Sequence, residues 1–276
     1  MARAKALIAH DPLRRWTAAD ANDTYNIPRW GCGYFGVNDQ GNLIVTPRPN
    51  GDPTSPPAPG VVHLDAPGAI DMKELIDELV ARGVTVSAGH TDATAAEAHL
   101  AFDRGVRTVT HLFNAMRHST ARDPSIAMSA LARPDVIVQV IVDLHHVAPD
   151  TVLVAWHSAA GRFALVTDAA PAAGMGDGEF VLGGRKVHAA DGVVRGPEGQ
   201  LAGSALTMIE GVRNLMSLGV SLQDALRAAS QVPARVAQRP DLGRLAPGSP
   251  ADVVVLDDRV DVIRVLVDGR ERVART

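Results

Sequence analysis

From residue 61 onward the chain alternates short Val/Ile-rich runs with segments of helical periodicity, which limits it to an α/β fold built on a parallel sheet. VVHL (61–64) precedes IDMKELIDELVARG, where Leu75, Ile76, Leu79 and Val80 share one helical face and Gly83 supplies the stop. VTVSAG leads into DATAAEAHLAFDRG, VRTVTH into the helix near SIAMSALARP, and VIVQVIVD into PDTVLVAWHSAAG, with FALVTD closing the series. These runs are continuously apolar rather than alternating, so both strand faces are expected under covering helices. After Asp168 come a glycine-rich antiparallel stretch (EFVLGGRKVHAADGVV), two helices (SALTMIEGVRNLMSLG and SLQDALRAASQVPARVA), and the strands ADVVVLDD and VIRVLVDGRER.

The residues ahead of this series read differently. GDPTSPPAPG (51–60) holds four prolines and two glycines and reads as a linker. Residues 1–50 are polar, with one hairpin expected in YFGVNDQGNLIVTP, turning at Asp39–Asn42. The expected organisation is therefore 1–50, the linker 51–60, a barrel portion over 61–240 and a small β-module over 241–276. A formal net charge of −4 leaves no basic excess for a phosphate backbone, which argues against nucleic acid as a partner. No run approaches the ~20 apolar residues that cross a bilayer. The single cysteine, Cys32, cannot form an intramolecular bridge, which points to a cytoplasmic setting.

In parallel α/β folds the C-terminal ends of the strands carry the chemistry, because the loops there converge while the strand bodies are packed shut. Here His90 follows VTVSAG, His111 follows VRTVT, Asp143 with His145 and His146 follow VIVQVIV, and Asp168 follows FALVT. Four successive strands thus deliver a titratable side chain to one rim. Neutral imidazoles with a carboxylate form the usual ligand set of a catalytic divalent metal, and hydrolysis is its natural reaction. Asp168 would then move a proton as general acid and base. His99 and His118 read as surface residues, His157 and His188 as packing or solvent-facing residues rather than ligands, and Asp143 stays open between a supporting role and none.

SAGHTDAT, THLFNAM, LVTDAAPAAG and GSALTMIEGVRN resemble the signatures of the N-acetylglucosamine-6-phosphate deacetylase family of the amidohydrolase superfamily, over most of 61–276. The resemblance implies a (β/α)8 barrel with an appended β-sandwich, homodimeric, removing acetate from N-acetylglucosamine 6-phosphate with a bound divalent metal, commonly zinc. It implies His90 and His111 as metal ligands and Asp168 as catalytic base and acid. Asn114, Ala115 and His146 match positions that hold the sugar and polarise the acetyl carbonyl. Arg122 in TARDP matches an arginine that reaches the substrate phosphate across the dimer interface, a role suited to a guanidinium fork. Ser204 in GSALTM has a plainer reading, as N-cap of the following helix.

The family's HLEGP motif is absent, and its nearest text, HLDAP (63–67), places Asp65 only 25 residues before His90. Two βα units of about 30 residues each should intervene. LDAPGAIDMKELIDELVARGVTVSAGH instead resembles the family's fourth strand and helix, so strands four to eight are expected here without the first three. WTAADANDTYNIPRWGCGYFGVNDQGNLIVTPRP resembles the opening of biosynthetic arginine decarboxylases. Three functional readings follow: a metal-dependent deacetylase, a catalytically inactive remnant serving as a structural or oligomerising module, or, on the opening's resemblance alone, a pyridoxal-phosphate decarboxylase.

Overall fold

The computed structural model describes residues 33–37, 43–47, 72–182 and 185–274. Cys32, the 51–60 linker, the 61–64 run and HLDAP with Asp65 lie outside the described residues, as does most of the decarboxylase-like opening. Strands β1 (Gly33–Val37) and β2 (Leu43–Pro47) pair antiparallel, Val37 opposite Leu43, which is the hairpin expected there. The chain falls into two compact units, the first containing residues up to Val136 plus Glu179–Val187, the second containing Ile137–Gly178 and His188 onward.

In the first unit, helix α1 (Met72–Ala81) ends as its sequence predicts. Gly83 takes φ +74, its N–H donates to the Val80 carbonyl at 2.9 Å, and Val84 N–H reaches back to the Leu79 carbonyl at 2.9 Å. This left-handed stop satisfies carbonyls that the last helical turn would leave open. Strand β3 (Val86–Ala88), helix α2 (Ala95–Asp103) and strand β4 (Val106–Val109) form a parallel βαβ unit. Thr94 and Glu97 start α2 with a reciprocal capping box. Helix α3 (Ile126–Ala132), capped by the Ser125 hydroxyl, packs against α2. Phe102, Val109, Leu112 and Ala130 are fully buried in this core. Arg133 lies over the Phe102 ring at 5.9 Å.

The second unit repeats the logic: strand β5 (Ile137–Ile141), helix α4 (Pro149–Ser158) and strand β6 (Phe163–Val166) form a second parallel βαβ unit. Strand β7 (Gly178–Leu182) and most of the following strand, β8 (Arg185–Ala190), belong by sequence to the Glu179–Val187 stretch. The end of β8 pairs antiparallel with β9 (Val193–Arg195), and β9 with β10 (Leu201–Ser204). Helices α5 (Met208–Ser217), α6 (Leu222–Ala229) and α7 (Gln231–Val236) pack on β6, and Ile137, Ala164, Val232 and Val236 form one apolar cluster.

The single helix expected over SLQDALRAASQVPARVA is two, because Ser230 leaves helical geometry at φ −133 and Pro233 falls in the first turn of α7, where its missing N–H costs nothing. Strand β11 (Val253–Leu256) pairs antiparallel with β12 (Val262–Val267). The run VIRVLVDGRER also divides: Asp268 and Gly269 both take positive φ and turn β12 into β13 (Arg270–Ala274). Among the described residues no helix is long and apolar enough to cross a membrane.

Candidate active site

The strand ends share one backbone habit. His90, His111 and Asp168 each lie two residues past the last residue of β3, β4 and β6, and each takes a left-handed φ, at 45°, 32° and 50°. Asp143 lies two residues past β5, and Leu144 beside it takes φ 65°. Side chains with a Cβ adopt this conformation rarely and at a cost, and such residues concentrate where function overdetermines them.

In the first unit the His90 and His111 rings meet edge to face, with centroids 4.4 Å apart. His90 is exposed, whereas His111 is 5% exposed. Strand pairing brings them together: Thr110 N–H donates to the Ala88 carbonyl at 2.8 Å, and the Ser87 and Thr110 hydroxyls meet at 2.5 Å. The His111 Nδ1 is buried with no hydrogen-bond partner. An orphaned imidazole nitrogen beside a second imidazole fits a divalent metal by donor chemistry, since neutral His nitrogen is a common ligand. These two histidines therefore fit as ligands. Among the described residues no cluster of three or more His, Cys, Asp or Glu side chains could share an ion.

The HLFNAM loop is wound by Asn114, whose N–H donates to the His111 carbonyl at 3.0 Å and whose side-chain amide donates to the His111 and Leu112 carbonyls at 3.1 and 3.3 Å. Ala115 is exposed, with φ 51°. Thr91 forms a parallel bridge with Met116, and Arg117 N–H donates to the Thr91 carbonyl at 3.0 Å, so this loop is stitched to the one that follows His90. Arg122 stands exposed in a tight turn where Thr120 N–H donates to the Asp123 carbonyl at 2.9 Å and Asp123 N–H to the Thr120 hydroxyl at 3.0 Å. The Arg117 guanidinium holds Asp123 at 2.7 Å and stands 3.8 Å from Asp92.

In the second unit Asp143 and His146 form a buried pair, the carboxylate 2.6 Å from the ring Nδ1. The other carboxylate oxygen accepts the N–H groups of His145 and His146 at 2.9 and 2.8 Å. Burial pushes the Asp143 carboxyl up, but bonds from the His146 ring and these two amides outweigh it and hold the group below the ordinary aspartate range. His145, its neighbour, points to solvent as an exposed residue.

Asp168 is exposed, and its backbone is anchored by Ser204. Ser204 N–H donates to the Asp168 carbonyl at 2.8 Å, and Ala170 N–H donates to the Ser204 carbonyl at 2.7 Å. The Ser204 hydroxyl donates to the Thr167 carbonyl and accepts Leu206 N–H at 3.1 Å. Ser204 is thus a clamp on the Asp168 loop and not the N-cap expected of it. That position belongs to Thr207, which forms a capping box with Glu210. Gly203 completes the clamp: it takes φ 68°, and a Cβ there would stand 3.0 Å from the Asp168 carbonyl oxygen. Sequence reasoning left the Asp143–His146 pair open and missed the Ser204 clamp. An aspartate three residues before a histidine at a strand end is the signal that points to the first. The second depends on a contact across 37 residues and leaves no local mark.

The sequence matches the family model of the Amidohydrolase family over residues 37–272. It is 36% identical over 205 residues to an N-acetylglucosamine-6-phosphate deacetylase of Vibrio furnissii, covering 74% of this chain and 51% of that protein. It is 37% identical over 199 residues to an N-acetylgalactosamine-6-phosphate deacetylase of Escherichia coli O157:H7, covering 71% of this chain and 53% of that one. Among solved structures, the N-acetylglucosamine-6-phosphate deacetylase of Pasteurella multocida superposes with a TM-score of 0.71 at 30% identity, over 74% of this chain and 54% of that one. A mutant of the Mycobacterium smegmatis deacetylase in complex with N-acetyl-D-glucosamine-6-phosphate superposes with a TM-score of 0.68 at 37% identity, over 72% of this chain and 54% of that one. The chain spans about half the length of the curated relatives it matches.

Proposed function

This chain belongs to the amidohydrolase family, and from that premise we propose that it hydrolyses the acetamide of N-acetylglucosamine 6-phosphate to glucosamine 6-phosphate and acetate. The observation that carries the reading is the edge-on contact of His90 with His111, which leaves a buried, unpartnered imidazole nitrogen at a strand end of a deacetylase-like chain. His90 and His111 would hold the divalent metal, with zinc, an ion suited to imidazole donors, as the one proposed. When bound, such a metal supplies Lewis acidity that polarises a carbonyl and acidifies water.

The chain's own residues do the rest. Asp168 accepts a proton from the attacking water and returns it to the departing amine nitrogen, the work of a general base and acid in turn. His146 helps hold the sugar through a hydrogen bond between its ring and a polar group of the substrate. Asn114 and Ala115 hold the sugar through the HLFNAM loop, and Arg122 meets the phosphate of a substrate bound by the partner in a homodimer. The single cysteine accords with a cytoplasmic setting.

The test is direct: purify the chain, load it with zinc, and measure acetate release from N-acetylglucosamine 6-phosphate together with metal content. Turnover that disappears on chelation and returns with zinc is the expected result. Stoichiometric metal without acetate release, or neither, overturns the enzymatic reading and leaves the inactive structural module.

A further inference from the structure

We propose that Asp143 is a positioning residue that fixes the tautomer and ring plane of His146, so that His146 presents Nε2 to the substrate. The inference rests on the reading of His146 as a substrate-holding group and names the residue that makes that role possible.

Both oxygens of the Asp143 carboxylate act on the same histidine. One accepts the His146 backbone N–H at 2.8 Å, together with that of His145, and fixes where the residue starts. The other stands 2.6 Å from the ring Nδ1 and fixes where the ring points. The two side chains are 5% and 7% exposed, so water does not compete for these bonds. Rotating the ring would leave a buried carboxylate oxygen without its partner, a change that costs more than the bond is worth in water. Leu144, between them, takes φ 65° without being glycine, so the turn holds a conformation the backbone would otherwise leave.

The chemistry of the pair then sets the proton. The net effect on Asp143 favours its ionised form, which has no proton to give. The proton between the two groups must therefore sit on Nδ1, as an imidazole facing a carboxylate requires. Nε2 is the ring atom left to meet a ligand. A turn that merely closed the loop would need the backbone bonds alone; the ring bond adds orientation of a titratable side chain at a strand end, at the position proposed above to hold the substrate.

The experiment is Asp143→Asn in the full chain, with His-selective ¹⁵N labelling and long-range ¹H–¹⁵N spectra at a pH where the ring is neutral. The His146 signals are assigned with His146→Gln. The asparagine oxygen keeps the backbone bonds, while its NH₂ now donates to the ring and demands the opposite tautomer. Wild type is expected to carry its proton on Nδ1 and the variant on Nε2. With N-acetylglucosamine 6-phosphate, kcat is expected to fall about 10- to 100-fold. A wild-type His146 protonated on Nε2 alone overturns the proposal even if the variant does not fold, as does a variant that leaves both tautomer and kcat unchanged. The spectra need no turnover, so an inactive wild type would refute the deacetylase reading while leaving the tautomer to judge Asp143.

Discussion

The His90 and His111 rings touch edge to face at 84°, although helix α2 and strand β4 lie between them in the chain. Strand pairing between β3 and β4 creates this relationship, and the left-handed φ at both histidines aims it. A buried nitrogen of His111 that lacks a partner is costly to keep in such proximity to a second ring unless something meets it.

Shared metal ligation makes a quantitative prediction. In zinc competition against a chromophoric chelator, His90→Ala and His111→Ala should each weaken binding at least about 10-fold. Because both would hold one ion, the second substitution should cost less in a background that already lacks the first, the non-additivity expected of residues acting as a unit. Strictly additive losses would mean that the histidines bind separate ions or none.

Much of this arrangement is legible in the sequence, for a physical reason. The apolar runs stop where the strands stop, so the first polar residues after VTVSA, VRTV, VIVQVI and FALV mark the strand ends without reference to the fold. The capping box at Thr94 and the glycine stop at Gly83 are equally local. What depends on distant partners is not legible: the Ser204 clamp joins segments 37 residues apart. The turn at Asp268–Gly269 was a readable Asp-Gly signal, obscured because the apolar pattern continues on both sides.

The clamp on Asp168 can be tested through its glycine. In Gly203→Ala the new methyl would stand 3.0 Å from the Asp168 carbonyl oxygen and 3.3 Å from the Ala170 Cβ, at φ 68°. The left-handed strain and the close contact together should cost about 1–3 kcal/mol in a denaturant melt. Since the displaced atom belongs to Asp168 itself, acetate release should fall more than the stability loss explains. Ser204→Ala, which removes a buried hydroxyl with two partners, should destabilise by about 1–3 kcal/mol. An unchanged melting midpoint in both variants would show that the loop is held by other means.

A pH dependence follows from Asp135. The Arg133 guanidinium grips it at 2.8 and 3.0 Å while reaching Asp103 at 2.6 Å, and holds the Asp135 carboxyl down to about 2 from an ordinary 3.8. A carboxyl depressed by folding stabilises above its unfolded value and loses that contribution as pH falls toward its folded value. The stability difference between wild type and Asp135→Asn should therefore be constant above about pH 5 and shrink between pH 3.8 and 2. The pair is partly exposed, so solvent screening limits the difference to at most about 1 kcal/mol, and salt should reduce it. Urea midpoints measured across that window decide the matter, and a difference that grows on acidification would contradict the ion pair.

Arg122 permits the sharpest separation of substrate recognition from chemistry. Its turn is closed by Thr120 and Asp123 and tethered by Arg117, so the guanidinium is presented from a fixed base while staying in solvent. A charge-assisted bond to phosphate is worth about 1.5–3 kcal/mol, which corresponds to roughly a 10- to 150-fold effect. Arg122→Ala should lower kcat/KM for N-acetylglucosamine 6-phosphate by that factor and leave the unphosphorylated sugar unaffected. Arg117→Ala keeps the guanidinium of Arg122 but frees its turn, so its loss on the phosphorylated substrate should be smaller and of the same selectivity. Equal losses on both sugars in either variant would place Arg122 away from the phosphate and assign these arginines to loop structure alone.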